Sequence, residues 1–314
     1  MEGAPLMTAV PTLAIVNPVA NRGGSAALWR RLQSAVQRRL PDLTIQSTLG
    51  PGHGEALAGE WARGRPFGMV LVIGGDGSIH EVVNGLVAAT RAPRLAVIPS
   101  GTGNDFARNT GIPLDPDAAV ARLGEAAARA VDLGRIRFRR VDGAEESRVF
   151  INSVSVGVVP RANRIAHHLR RVLPGRLCYA LGGIAALFGH GRRRFRISSG
   201  DTMAWDGEAL NLTYANCASF GGGMRISPGS MPDDGILEQV IIGEMGRTRA
   251  LLALSRLYAG THVAMRGVGV TPVAETTRIR SGAGPLLIEA DGQEFISNGE
   301  LIVEPLPGAL TLFN

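Results

Sequence analysis

The sequence predicts an α/β fold in which a first domain, built on a parallel sheet, is joined to a second, mostly antiparallel β-rich domain. Three observations carry that expectation. The run Met69–Ile73 is rich in β-formers, stops at Gly74-Gly75-Asp76-Gly77, and gives way to Ile79, Val82, Val83 and Leu86, spaced three and four apart as on a helix face. A second short apolar run, Arg94–Ile98, ends at Pro99 and the polar stretch Ser100-Gly101-Thr102-Gly103-Asn104-Asp105. Beyond Phe138 the helical period becomes sparse and short β-type runs dominate.

Taken in order, Leu13–Val16 is the first strand, ending in Asn17-Pro18 with Asn21-Arg22-Gly23-Gly24 behind it. Ser25–Leu40 follows as an amphipathic helix. Leu28, Leu32, Val36 and Leu40 make its apolar stripe, Arg30, Arg31, Arg38 and Arg39 lie away from it, and Pro41 stops it. Leu43–Leu49 reads as a strand leading through Thr48 into Gly50-Pro51-Gly52-His53-Gly54, and Glu55–Arg63 as a helix. After the two glycine-rich units come a helix over Pro113–Glu125 and a strand over Ala130–Arg137. Strands alternating with helices through short joins imply right-handed βαβ units on a parallel sheet.

Phe138–Arg148 is charged and hairpin-like, with Asp142-Gly143 at its tip. The β-type runs that follow are Val149–Val159, Phe195–Ser198, Leu210–Asn216, Gly235–Ile242, Val268–Val273, Thr277–Ser281 and Leu286–Ala290, read as a sandwich or open barrel. Helical inserts interrupt them at about Arg161–Gly189 and Arg247–Tyr258, and Leu301–Phe313 is again β-like.

Composition bounds the chemistry. The 314 residues, 45% apolar and 19% charged, suit two domains with ordinary cores. Cys178 and Cys217 make neither a disulfide framework nor a metal spacing. A net charge of +6 favours anionic partners, but the arginines are dispersed and no aromatic stacking platform accompanies them, so nucleic acid is not expected. No stretch approaches a membrane span, and Ala4–Val16 lacks a basic n-region and is broken by Pro5 and Pro11; a cytoplasmic protein is expected.

The three glycine-rich turns each follow a strand. In an open parallel sheet ligands bind outside the carboxyl ends of the strands, so such turns can face one cleft. There backbone N–H groups and a helix N-terminus can face an anion, and Asp76 places a carboxylate suited to a metal or nucleotide contact. Asp-Gly also makes hairpin turns, but the residues after Gly77 have the helix period. Together the turns point to a nucleotide site. All 33 basic residues are arginine, which excludes a Walker A loop and a lysine Schiff base, and the first turn is not GxGxxG.

NPVANRGG, GGDGSIHEVVNGL and IPSGTGNDFARN together resemble the three N-terminal motifs of the diacylglycerol kinase catalytic-domain family, which includes bacterial lipid kinases and sphingosine and ceramide kinases. The resemblance implies a nucleotide domain like those of NAD kinases and phosphofructokinases, spanning residues 1–134 and 298–314, with a β-sandwich lipid-substrate domain inserted over residues 135–297. It implies ATP and Mg²⁺ as cofactors, and nucleotide contacts from Asn17, Thr48, Gly74, Gly75, Asp76, Gly77, Ser78, Glu81, Gly101, Thr102, Asn104 and Asp105. His53 fits the family's "T…PGHA" motif, with Gly54 in place of its alanine; a turn residue at a helix entry is the other reading.

Two later stretches extend the likeness. Gly221-Gly222-Gly223-Met224 leads to Pro232-Asp233-Asp234-Gly235, where the resemblance makes Asp234 the Mg²⁺ carboxylate, with backbone oxygens from Met231 and Ile236. Leu286–Phe295 carries Asp291-Gly292, and the resemblance makes Asp291 the catalytic base for a lipid hydroxyl. The family's second acid is replaced by Gln293, with Glu294 one place later. On the residues alone, both aspartates also read as plain turn residues.

The expected activity is transfer of the ATP γ-phosphate to a membrane-lipid hydroxyl, diacylglycerol first. Sphingoid or ceramide kinase, a soluble-metabolite kinase such as one acting on NAD, and a non-catalytic nucleotide sensor are the alternatives. Arg161, Arg164, Arg170, Arg171, Arg176, Arg192, Arg193, Arg194 and Arg196 flank the apolar stretch Leu177–Phe188, which reads as a peripheral membrane contact or as a core helix with a basic face. A homodimer is compatible with the sequence.

Overall fold

A computed structural model describes residues 10–65, 68–89, 93–124, 128–169, 175–189, 192–200, 202–243 and 245–313. Arg170 and Arg171 lie outside the described residues, as do Glu125 and the stretch from Ala4 to Ala9. The chain divides into two units, Met1–Val131 with Gly308–Asn314, and Asp132–Pro307.

The first unit contains β1 (Thr12–Val16), α1 (Gly24–Arg39), β2 (Leu43–Ser47), α2 (His53–Gly64), β3 (Met69–Gly74), α3 (Asp76–Ala89), β4 (Arg94–Pro99), α4 (Asp105–Asn109) and α5 (Pro116–Arg122). Its sheet runs β4-β3-β1-β2, every pair parallel, and residues Thr311 and Leu312 of the last strand add to the β4 edge, also in parallel. β1, β3 and β4 are buried at nearly every position, as strands covered on both faces must be. Val16 is level with Ile73, and Gly74 with Pro99, so the three turns leave the sheet at one edge. The connections run in opposite directions on either side of β1 and β3, which makes this edge the topological switch point. Helix α1 seals the core with Trp29, Leu32, Val36 and Leu40. Trp29 takes the core place the stripe reading gave to Leu28, which is only half-buried.

The second unit takes in most of β5 (Arg129–Arg139), then β6 (Glu145–Phe150), β7 (Ser153–Gly157), α6 (Val158–Leu169), α7 (Gly175–Gly189), β8 (Arg193–Ser199), β9 (Thr202–Ala215), β10 (Leu237–Gly243), α8 (Arg247–Arg256), β11 (Val268–Val273), β12 (Thr277–Ser281), β13 (Leu286–Ala290), β14 (Gln293–Ser297) and the first part of β15 (Glu300–Leu312). The pairs β5–β6, β7–β9, β7–β13, β8–β9, β8–β12, β9–β10, β10–β11, β12–β15 and β13–β14 are antiparallel. β9 is shared: its first half pairs with β8, and Asn211–Ala215 pair with both β7 and β10. It therefore joins two layers of a sandwich, whose core includes Phe150, Phe195, Ile197, Tyr214, Ile279 and Val303.

Several sequence-based bounds shift for visible reasons. The run Val149–Val159 is not one strand: β6 ends at Phe150, β7 starts at Ser153, and Val158 already opens α6. The break falls where backbone N–H groups turn to the Asp291 carboxylate. Helix α5 starts at Pro116 because Asp115 caps it, accepting from Ala118 N at 2.8 Å. Gly235 stays out of β10, held in a left-handed turn with φ 78°. The units divide at Val131 and at Pro307 because Glu300–Val303 pair with β12 of the sandwich before the chain reaches β4.

Candidate functional site

In the first unit the turns after β3 and β4 touch backbone to backbone. A Cβ on Gly101 would lie 2.6 Å from Gly75 Cα, and one on Gly75 would lie 2.9 Å from Gly101 Cα. Neither contact is one a real Cβ makes, so glycine is required at both positions by the fold itself. Gly74 is equally constrained, a Cβ there meeting Ser78 at 2.6 Å, whereas Gly77 faces open space.

The polar residues fasten the turns to one another. Asp76 accepts from Asp105 N at 3.1 Å and Phe106 N at 2.9 Å, so one turn's carboxylate caps the helix that follows the other. Asn104, left-handed with φ 53°, closes its own loop by accepting from Gly101 N at 2.9 Å and donating to Gly101 O at 3.1 Å. Asn17 reaches across from β1 to donate to Ser78 Oγ at 2.8 Å. Buried Ser25 and Ser100 share a hydroxyl hydrogen bond of 2.7 Å, tying the first turn of α1 to the end of β4. That pair has no sequence signal.

Glu81 sits elsewhere on α3. It accepts from Gly52 N at 2.9 Å and Gly54 N at 3.1 Å, anchoring the entry to α2. Thr48 N donates to Val16 O, and His53 Nδ1 accepts from Leu49 N at 3.0 Å, so the turn reading of His53 is what the contacts describe. Thr102 is exposed and Asp105 is buried. Beside the paired turns opens a cleft of about 500 Å³, lined among others by Asn21, Leu28, Arg31, Ser100, Gly101 and Asn104. Asn21 and Arg22 stand in consecutive left-handed conformations at its rim, a strain that clusters at ligand sites.

The second unit holds the other candidates. At the tip of the β13–β14 hairpin Asp291 is left-handed, with φ 48°. Its carboxylate accepts from three consecutive backbone N–H groups: Ile151 at 2.7 Å on Oδ2, Asn152 at 2.9 Å and Ser153 at 3.2 Å on Oδ1. Glu294 is engaged by Arg164 of α6, whose guanidinium donates at 3.0 and 2.6 Å to one of its oxygens; this hydrogen bond, then the charge of Glu294, raises the Arg164 pKa. Gln293 is exposed.

The Asp234 turn is closed by its own side chain, Oδ1 accepting from Ile236 N at 3.0 Å, and by Asp132, which accepts from Gly235 N at 2.6 Å. Met231 is 55% exposed. Glu238 follows on β10; burial, with the negative charge of Asp234 adding, holds its carboxyl above the ordinary range, and its Oε2 is buried without a hydrogen-bond partner. Among the described residues no group of three or more His, Cys, Asp or Glu side chains is placed to hold a metal ion. The donor chemistry at this turn still suits a hard cation, since the Asp234 carboxylate acts on the half-buried Glu238 carboxyl.

Asn216 links the two turns of this unit. Fully buried at the end of β9, it donates to Asp132 O at 2.8 Å and Ile151 O at 2.9 Å. Ile151 N holds Asp291, and Asp132 holds Gly235. Neither Asn216 nor Asp132 was legible as a site residue, because each acts through segments far away in sequence.

A cleft at the switch point of a parallel sheet and a β-sandwich bearing a cradled aspartate define a two-domain protein of the α/β class. Comparison with known proteins makes the assignment. Residues 11–136 match the diacylglycerol kinase catalytic domain, and residues 152–314 match the YegS C-terminal NAD kinase beta sandwich-like domain. A Stenotrophomonas maltophilia protein named "Probable lipid kinase YegS-like" is 30% identical over 86% of this chain and 86% of its own length. A Mycobacterium tuberculosis protein named "Diacylglycerol kinase" is 27% identical over 95% of this chain and 91% of its own. The fold is shared with a diacylglycerol kinase from Bacillus anthracis (TM-score 0.71, 20% identity, 98% and 97% of the two chains covered). It is also shared with an NAD kinase from Archaeoglobus fulgidus, solved with ATP (TM-score 0.51, 11% identity, 96% and 93% covered). The chain belongs to the diacylglycerol kinase catalytic-domain family and is a lipid kinase.

Proposed function

We propose that the protein transfers the γ-phosphoryl group of ATP, with Mg²⁺, to a hydroxyl of a membrane lipid, diacylglycerol being the first candidate. The single observation that supports this most is the Asp291 cradle. Three N–H donors fix the carboxylate at the hairpin tip in one orientation, which is the positioning a general base needs. Phosphoryl transfer needs little covalent chemistry beyond such positioning. Asp291 takes the proton of the lipid hydroxyl as that oxygen bonds to the γ-phosphorus, and the bond to the ADP oxygen breaks.

The nucleotide is assigned to the first unit's cleft, lined by Ser100, Gly101 and Asn104, beside which the Gly74–Gly77 turn packs on Gly101 and leaves Gly77 open to a close approach. Asn17, Ser78, Asp76 and Asn104 hold those turns in shape, Glu81 fixes the neighbouring α2 entry, and Thr48 N bonds Val16 O at the end of β1. Thr102 and Asp105 complete the expected set at the loop and at the start of α4. Asp234, with carbonyl oxygens of Met231 and Ile236, is the proposed Mg²⁺ position. When bound, the ion neutralises phosphate charge.

Asp291→Asn tests the assignment. Asparagine tolerates the left-handed conformation, so the turn is expected to survive. ATP binding should be unchanged and turnover on diacylglycerol vesicles should fall roughly 10²–10⁴-fold. Wild-type turnover in this variant would remove Asp291 from the mechanism. Running the wild type over a panel of diacylglycerol, sphingoid base, ceramide and NAD identifies the acceptor.

A further inference from the structure

The Asp291 hairpin contains a second carboxyl group for which the proposed mechanism has no use. Glu289 stands two residues before Asp291 on β13 and is 2% exposed. Its Oε1 accepts from Gly292 N at 2.5 Å, closing the two-residue turn in which Asp291 and Gly292 both have positive φ, 48° and 87°. Its Oε2 is buried and no well-aligned donor reaches it. An ionised carboxylate has about four acceptor sites to satisfy, and a buried one left short of donors takes up a proton instead.

The surroundings point the same way. In the β13–β14 register Glu289 lies directly opposite Glu294, a pairing that repels if both are charged. Glu294 is held charged by Arg164, and that guanidinium is committed to it. On β7 the residue in register is Ser155, whose hydroxyl is bonded to Thr213. From α6 the amide of Asn163, uncharged, comes within hydrogen-bonding reach of the carboxyl and acts weakly in favour of its charged form. The charges acting on Glu289 are those of Asp291 and Glu294, both negative.

We propose that Glu289 is a positioning residue for the Asp291 base, working as a neutral acid that fastens the Asp291–Gly292 turn and disabling the site when it ionises. The proposal rests on the reading of Asp291 as the base. In the neutral form Glu289 holds the Gly292 N–H without a charge that repels Asp291 across the turn or Glu294 across the ladder. Once ionised, it repels both and lacks the donors a buried carboxylate needs, so the turn that aims Asp291 loosens.

Burial above all, with Asp291 and then Glu294 adding, pushes the Glu289 carboxyl up to about 8, against the hydrogen bonds from Gly292 and Asn163. An acid raised on folding binds its proton more tightly folded than unfolded. Stability therefore falls as pH climbs from the unfolded value of 4.5 toward about 8 and levels off above it. Turnover should fall about tenfold per pH unit above the same midpoint.

Glu289→Gln separates this role from a structural one, since it keeps the acceptor for Gly292 and cannot ionise. The expected result is a wild-type alkaline loss of kcat that is absent in the glutamine variant, with KM for ATP alike in both. Glu289→Ala, lacking the acceptor, should have lower kcat at every pH. An alkaline loss of the same midpoint in Glu289→Gln overturns the proposal. Titration of the unmutated protein by ¹³C NMR of its glutamate carboxyls gives a readout that needs neither turnover nor a folded variant. One glutamate with a midpoint near the raised value is expected, and none above pH ~6 would overturn the proposal. An Asp291→Asn enzyme with full turnover would refute the base while leaving that titration to be read separately.

Discussion

Asp76, proposed for the nucleotide site, is first a structural residue. Both of its carboxylate oxygens are used on the N–H groups that open α4, so the turn after β3 holds the turn after β4. Asp76→Ala should cost about 0.5–2 kcal/mol, the range for losing an N-cap, and should weaken ATP binding because the Ser100–Asn104 loop is no longer pinned. Asp76→Asn, which keeps an acceptor, should fall in between. Thermal melts with and without ATP measure both effects; a melting temperature unmoved in the alanine variant would show that α4 does not depend on this cap. Asn216 and Asp132 act similarly in the sandwich, each spending its polar atoms on the backbone of another turn.

At the scale of elements, the two glycine turns are a packed contact rather than a flexible pair of loops. Gly101→Ala must push Gly75 away, and overpacking of this kind costs about 1–3 kcal/mol. Gly77→Ala meets no atom within 4 Å and should leave stability within about ±0.5 kcal/mol. Isothermal titration of ATP into the second variant is then informative: reduced affinity at unchanged stability means that the ligand approaches the backbone at Gly77. Full affinity would move the phosphates away from that residue. The β13–β14 hairpin makes the same point with different chemistry, since its tip conformation, the Asp291 anchor and Glu289 form one unit.

Over the whole molecule, a net charge of +6 gives a general attraction to anionic surfaces, but most of the arginines after α7 are already engaged. Arg194 and Arg196 are paired with Asp206, Arg192 lies 3.8 Å from Glu208, and Arg193 donates to Pro285 O. The apolar part of that segment is different: Leu181, Ile184 and Phe188 form an exposed stripe on α7, with Arg247 stacked over Phe188 at 5.5 Å. No helix among the described residues is long and apolar enough to cross a membrane. The proposed vesicle contact therefore belongs to the α7 stripe, with the arginines adding a salt-sensitive part. Replacing Leu181, Ile184 and Phe188 with Ser should abolish sedimentation with anionic vesicles and raise KM for lipid but not for ATP. The triple change of Arg192, Arg193 and Arg194 to Gln should give a smaller loss. If the serine variant sediments like wild type, the lipid is met elsewhere.

The sequence by itself determined the α/β class, the three strand-to-turn units, the β-rich second domain and the family. Those features are written in local chemistry: apolar runs of strand or helix period, glycines where the backbone must turn, and aspartates in Asp-Gly turns. The positions of Gly75, Gly101 and Asp291 were therefore readable. What the local pattern could not carry was partnership. That Asp76 caps α4, that Glu81 ties down α2, that Trp29 rather than Leu28 fills the core, and that Val149–Val159 breaks to bind Asp291 all depend on segments far apart in sequence. Glu289 is the clearest case. As a letter in a strand it is an ordinary surface-type acid; only the packing of β7, β14 and α6 around it removes its water and leaves it short of donors, and that burial pushes its carboxyl up to about 8.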